Sequence, residues 1–544
     1  MFFRKHWIEI LTIGAILAVL LICQAPNFTW INTDSDGIHY TYSAEWLFPS
    51  HKGSAPLYLL LGNLFLRLPF GTEFWRMALI SVLSGAVAST FILLIIRQKL
   101  QGVKWVKWYA IIGALIYGGS ALAISQNTIV EAYPLVTAVA LGVYYFSLKK
   151  KWLTASILIG VAGAIHPTSM LVIIPMLIAY KPLRNWKRLG VMAMFTLFYL
   201  YVPLTNRPPY MWFPSNTEGG IFGFVKDSVN TAIMLTGKLA IYDLPKRVLD
   251  TIGLLILNFA IVGIVPFYYA LKGKGWYRNV LFWMIAIPTI YYATDIAPQT
   301  YVYMQPTIAF GAIAVGIGLS KLKRPFIYAT AVAAIALLFI NGNYFDIGRT
   351  LDPNMSATHY YTVELDKVPD GQILMPYYGW EWAAIYRYNK DNNRNIIPVC
   401  IDTLVSPVYQ SMMMEQGIRF EDNNSDNRRN RQDYLALSIV SLNKNVWTTR
   451  TTDASTYGTE VLLAKGNESL IQKVPPWPPG EWHWKPTNPY GIITGSVEIH
   501  EWSFITMSNH NIMFISLVSG VLYLLYMMGE KMVRRKKVYE KSYN

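Results

Sequence analysis

The chain has 544 residues, of which 53% are hydrophobic and only 15% charged, a balance that excludes an ordinary soluble enzyme. The formal charge of +15 does not point to nucleic acid, because the basic residues stand in short clusters between apolar runs. Two cysteines, Cys23 and Cys400, give neither a disulfide framework nor a zinc-type spacing.

Apolar segments fall near residues 7–25, 76–96, 109–125, 134–148, 153–166, 168–181, 190–204, 251–270, 279–293, 303–320, 325–341 and 512–529. The first follows a basic start, "MFFRKHW", but no small-x-small cleavage site follows it, so it is predicted to be an uncleaved span. The fold expected is mainly α: a polytopic membrane bundle of about twelve spans. Basic connections then alternate with acidic or neutral ones. "RQKLQGVKWVKW", "SLKKKW", "KPLRNWKR", "LKGKGWYR" and "KLKR", with both chain ends, fall on one side, which the positive-inside rule makes cytoplasmic. The other side receives 26–75, the turns near Glu131 and His166, 205–250, the turn at Asp295, and the long stretch 342–511.

Residues 342–511 differ in composition, being richer in Asn, Asp, Pro and Trp. "VPDGQILMPYYGWEWAAIYRYN" followed by "NIIPVCIDTLVSPVY" reads as strand, loop, helix and strand, the mark of a small α/β extracytoplasmic domain before the last span. The chain thus divides into a membrane core, 1–341, this outer domain, 342–511, and a final span with a basic tail, 512–544. "EDNNSDNRRNRQD" reads as a polar loop, and "KVPPWPPGEWHWKP" as a stiff connector with indoles at the lipid interface.

The stretch that invites chemistry is "INTDSDGIHYTYSAEWLFPSHKGSAPLYLLLG", just outside the first span. It gathers Asp34, Asp36, His39, Glu45, His51 and Lys52 before an apolar segment carrying Arg67 and Arg76. A carboxylate there can be solvated and idle, can bind a hard cation with a neighbour, or can act as a base at the membrane surface. In an extended segment Asp34 and Asp36 point the same way, which would allow a cation with Glu131 as a third ligand. "PLYLLLGNLFLRLPFG" reads as a helix lying on the membrane surface, closed by Pro69 and Gly71. Further ionisable groups stand at outer span ends: Glu131, His166, Arg207 and Asp295. Each also has a purely structural reading, as a cap, a pair or a headgroup anchor.

These residues resemble the first outer loop of the transmembrane O-mannosyltransferase-like glycosyltransferases of the GT-C fold. The resemblance rests on Asp36, His51 and "PLYLLLG", continues through "LPFG" and Trp75-Arg76, and reappears at Glu131-Ala132-Tyr133, at "GVAGAIHPTSMLVIIP", "YLYVPLTNRPP", "YVYMQP", "VPDGQILM" and "IIPVCIDTLVSPVY". The chain departs from the family where His39 replaces a second acidic residue and where Lys52-Gly53-Ser54 replaces Pro-Pro-Gly, which points to a changed donor or acceptor. The resemblance implies an integral membrane enzyme with cytoplasmic termini and an outward-facing site. Its donor would be a sugar on a polyprenyl or dolichyl phosphate, mannose by default. Its acceptor would be a protein Ser/Thr hydroxyl or a glycan. Asp36 would be the general base. His51, Lys52, Arg76, Glu131, His166 and Arg207 would hold donor phosphate or sugar, Arg207 foremost. Asp34 or Asp295 would supply a second acid or a metal contact, although no metal or other cofactor is required. Two rivals remain from other classes. A secondary transporter would show charged groups mid-span and a repeat relating its halves, neither evident here. A GT-C-like scaffold would lack chemistry altogether.

Overall fold

The computed structural model describes residues 2–24, 35–47, 55–204, 244–272, 279–294, 302–350 and 365–375, and most of 385–464. Asp34, His51, Lys52, Arg207, Asp295 and the span expected at 512–529 lie outside the described residues.

The described chain is mostly helical. It runs through α1 (Phe2–Ile22), α2 (Ser35–Trp46), α3 (Pro56–Leu66), α4 (Glu73–Lys99), α5 (Val106–Gly118), α6 (Ala121–Asn127), α7 (Tyr133–Leu148), α8 (Trp152–Ile165), α9 (Met170–Ala179) and α10 (Trp186–Met194). After a 3-10 segment, Phe195–Leu204, come α11 (Leu244–Leu271), α12 (Val280–Thr294), α13 (Gln305–Leu319) and α14 (Arg324–Thr350). Among the described residues three helices are long and apolar enough to cross a membrane by themselves: Glu73–Lys99, Val302–Leu319 and Arg324–Gly342. Bent pairs bring this to 5.

Local sequence accounts for the central helix. Thr72 caps α4 by accepting the Trp75 N–H at 3.1 Å, Glu73 stands in its first turn, and Arg97 and Lys99 stand in its last. That charge order suits the helix dipole. At about 1.5 Å per residue its 27 residues span roughly 40 Å, enough for the hydrocarbon core. Around α4 pack α1, α5, α7 and α13, through one continuous core that includes Ile92, Ile96, Tyr117, Leu141, Phe310 and Ile313.

The span expected at 109–125 is broken. Helices α5 and α6 meet at a 63° bend. The freed backbone groups find distant partners: Asn341 Nδ2 donates to the Gly119 carbonyl at 2.7 Å, and Asn258 Oδ1 accepts the Leu122 N–H at 2.9 Å. Such repair is what allows a break inside an apolar bundle. The span expected at 190–204 likewise differs. Its helix starts earlier, capped by Asn185, and passes into 3-10 geometry at Phe195.

Beyond the bundle, β1 (Ile373–Met375), β2 (Ile397–Pro398), β3 (Val446–Thr451) and β4 (Thr459–Ala464) form one sheet in the order β2-β1-β3-β4. Strand β1 runs parallel to both neighbours, and β3 pairs antiparallel with β4. Helices α15 (Pro407–Glu415) and α16 (Arg428–Leu442) cover the sheet through Tyr409, Met413, Leu435 and Ile439, which are buried with Met375, Val399 and Val446. The polar run expected as a loop at 421–433 instead leads into α16. Arg431 grips Asp422 through Nε at 2.8 Å, and Gln410 Nε2 donates to the same carboxylate at 2.9 Å.

Candidate active site

Two ends of the bundle differ in chemistry. At one end the buried carboxylate of Glu9, on α1, meets Arg97 at 3.2 Å and Lys107 at 3.1 Å, with His6 at 3.5 Å. At the other end stand α2, α3, the start of α4 and the turn that carries Glu131. Ser81, which holds that turn, lies 16 residues before Arg97 on α4, about 24 Å along the helix axis. Glu131 and the helix that carries Asp36 therefore lie at the end opposite the basic cluster.

The stretch around Asp36 is helical rather than extended. Asp36 is the second residue of α2, so the geometry expected of an Asp34/Asp36 pair in an extended strand does not apply. An acidic residue in a helix's first turn is favoured by the dipole. The middle of helix α2 is buried all round: Tyr40, Thr41, Tyr42, Ser43 and Ala44 are all enclosed. Tyr40 meets Tyr58 of α3 edge-on at 5.1 Å between ring centroids, and Asn63 Nδ2 of α3 donates to the Ala44 carbonyl at 2.9 Å.

The helix expected from "PLYLLLG" is α3. Pro56 opens it, where a missing N–H costs nothing. Its far end is closed by Arg76, whose Nη1 donates to the carbonyls of Leu68, at 2.8 Å, and Leu66, while Nε donates to that of Thr72 at 3.3 Å. These bonds tie Arg76 to the α3–α4 turn. Gly71 is required in that turn: its φ is +74°, and a Cβ there would lie 2.6 Å from the Trp75 ring.

Glu131 is buried between α6 and α7. Its Oε2 accepts the Ala132 N–H at 2.9 Å, and Tyr58 lies close enough to feel its charge. Two residues on, Tyr133 packs edge-on against His166 at 5.2 Å and against Tyr303 at 5.2 Å; Tyr303 in turn meets Tyr291 at 5.4 Å. His166 caps a 3-10 turn: its Nδ1 accepts the Thr168 N–H at 3.3 Å and lies 2.7 Å from the Thr168 hydroxyl. The structure thus brings Glu131 and His166 to one wall, beside α3 and the helix that begins near Asp36. Two further members of that wall are Ser81 and Tyr58. Tyr58 sits inside the quoted "PLYLLLG", whereas nothing in the sequence marks Ser81. Among the described residues no group of three or more His, Cys, Asp or Glu side chains is placed to hold a metal ion.

Residues 39–189 match the N-terminal domain of the protein O-mannosyl-transferase TMEM260 family. The matched range begins just after Asp36 and takes in α3, α4, Glu131 and His166. The match supports the resemblance for the motifs from His51 to "GVAGAIHPTSMLVIIP", whereas Asp36 and the later motifs lie outside the matched range. In overall shape the chain is similar to ArnT from Cupriavidus metallidurans in the apo state, with a TM-score of 0.55 at 13% identity, over 85% of this chain and 98% of that one. It is also similar to ArnT bound to undecaprenyl phosphate, with a TM-score of 0.50 at 14% identity, over 75% of this chain and 88% of that one. At such identities the likeness speaks for the GT-C fold alone. No match is found among curated proteins.

Proposed function

We propose that this protein is a membrane glycosyltransferase that moves a sugar from a polyprenyl-phosphate carrier to a hydroxyl on the extracytoplasmic side. The observation that carries the reading is the family match over the segment that builds the Glu131–His166 wall and its α3 lid. The undecaprenyl phosphate bound by ArnT supports a lipid-linked donor. A polyprenyl tail is too apolar to leave the bilayer, so its phosphate must be met at the interface. In this reading the chain crosses the membrane about twelve times with both termini cytoplasmic, mannose is the sugar, and a protein Ser/Thr is the acceptor.

The chemistry follows from proton affinities. A hydroxyl is too weak an acid to ionise beforehand, so its proton must leave as the oxygen attacks the anomeric carbon. Asp36 takes that proton. The C–O bond to the phosphate breaks on the opposite face, so the anomeric centre inverts, and the polyprenyl phosphate departs as an anion. Its growing charge calls for fixed cations. Arg207, His51 and Lys52 serve there, with Arg76 holding the lid turn. Glu131 and His166 bind sugar hydroxyls. Positive side chains suffice for the phosphate, so no metal is required.

The test is transfer from a radiolabelled polyprenyl-phosphate mannose to a Ser/Thr peptide by purified protein in lipid. Wild type should turn over, and Asp36→Asn should be slower by at least ~100-fold, the usual range for an acid–base residue. Equal rates would remove Asp36 as the base. Solute uptake into proteoliposomes without sugar transfer would favour a transporter instead.

A further inference from the structure

Helix α2 is held from two sides. On one side, α3 grips it through Tyr58 and Asn63. On the other side Tyr42 meets Phe74 of α4 edge-on at 6.3 Å, and two further partners come from far along the chain, in the helical residues between β1 and β2. Lys390 Nζ is paired with the Glu45 carboxylate, and Tyr386 meets Tyr42 edge-on at 6.0 Å between ring centroids. Tyr42 and Glu45 are three apart on α2, so they share a face; Tyr386 and Lys390 are four apart, so they do too. Two contacts in the same register make a joint rather than a chance touch.

The joint is also short in sequence terms. Met375 ends β1, the helical residues follow, and Ile397 begins β2, so Lys390 and Tyr386 are carried on the crossover of the sheet itself. A displacement of that crossover moves the face of α2 that holds Glu45. Glu45 lies nine residues, two and a half turns, from Asp36 on the same continuous helix. A helix this short moves as one rigid body.

We infer that Lys390 and Tyr386 are positioning residues, through which the β-sheet portion sets the placement of α2 when a polypeptide acceptor engages that portion. This deepens the reading under Proposed function and rests on it. The sheet portion is the part of the described chain outside the bundle, and through Lys390 and Tyr386 it touches the helix that carries Asp36. Acceptor use and donor use are then separable. The joint serves the first, whereas the Glu131–His166 wall and the lid serve the second.

The experiment is a charge swap with two readouts. Wild type, Lys390→Glu, Glu45→Lys and the double swap are assayed in lipid with radiolabelled polyprenyl-phosphate mannose. Transfer to a Ser/Thr peptide gives KM and kcat for the acceptor. Equilibrium binding of the donor without peptide reads the donor site alone. Each single variant should lose roughly 10-fold or more in kcat/KM for the peptide while donor KM and donor binding stay within about 3-fold of wild type. The double swap should recover most of the loss, which assigns that loss to this pair. Single variants with wild-type peptide kinetics overturn the joint, as does a double swap no better than the worse single. A matching loss of donor binding also overturns it, since that is the mark of general disruption. A wild type that transfers no sugar removes the reading on which the joint rests, and the joint with it.

Discussion

The Ser81 hydroxyl holds Glu131 by its backbone from both directions, donating to its carbonyl at 3.0 Å and accepting its N–H at 3.3 Å. A helix side chain on α4 thus fixes the turn between α6 and α7, and the carboxylate that follows is aimed by a hydroxyl 50 residues away.

Ser81→Ala should therefore weaken the fold as well as the site. It leaves a buried N–H and a buried carbonyl without this partner, a cost of about 1–3 kcal/mol. Thermal unfolding of the variant in detergent should show a lower midpoint than wild type. An unchanged midpoint would mean that the turn is held by other groups.

Glu131→Gln separates charge from shape. The amide oxygen can still accept the Ala132 N–H, so stability should hold. On the proposed reading, kcat/KM for the donor should fall roughly 10- to 100-fold, which corresponds to one hydrogen bond to a charged group at about 1.5–3 kcal/mol. Steady-state transfer assays at varied donor concentration give the answer, and an unaltered donor dependence would return Glu131 to a structural role.

Gly318→Ala tests the tightest helix crossing. A Cβ on Gly318 would collide with the backbone carbonyl of Pro266 on α11, which cannot swing aside as a side chain could. Overpacking of this kind costs about 1–3 kcal/mol. Yield and melting temperature of the purified variant should both drop, with no selective change in substrate preference.

The sheet portion carries a pH dependence. Arg431, gripping Asp422 by Nε and Nη2, holds that carboxyl well below the usual range, with help from the Asn424 N–H and Gln410. A depressed folded-state pKa contributes stability above the unfolded value of about 3.9 and loses it as pH falls through that value towards the folded one. Protection of α16 amides in hydrogen exchange should weaken below about pH 4, and Asp422→Asn should remove that dependence at a cost on the order of 1 kcal/mol.

How much of this could be read in advance varies element by element. Strands β1 and β2 were marked by β-branched runs bounded by turn residues, and α3 by Pro56 and Gly71. The helical state of Asp36 was hidden because "SDGIHYTYSAEW" is neither apolar nor amphipathic by pattern. Its enclosed residues, Tyr40 to Ala44, run consecutively, and packing from α3, from Phe74 of α4 and from Tyr386 explains that. The break between α5 and α6 has a local signal, Gly118-Gly119 followed by the N-cap Ser120, but the apolar run on both sides of it reads as one continuous span. Burial of Glu131 was beyond reach for the opposite reason, because its retaining group, Ser81, is an unremarkable serine within a span.

Asn341 and Asn258, which close the gap at Gly119–Leu122, come from helices far along the chain. A genetic screen for inactive alleles would collect changes at these two asparagines beside changes at the acidic positions. Their phenotypes would mimic one another in a plate assay while differing in cause. Sorting such alleles by protein abundance, before any inference about chemistry, follows directly from where the stitches lie.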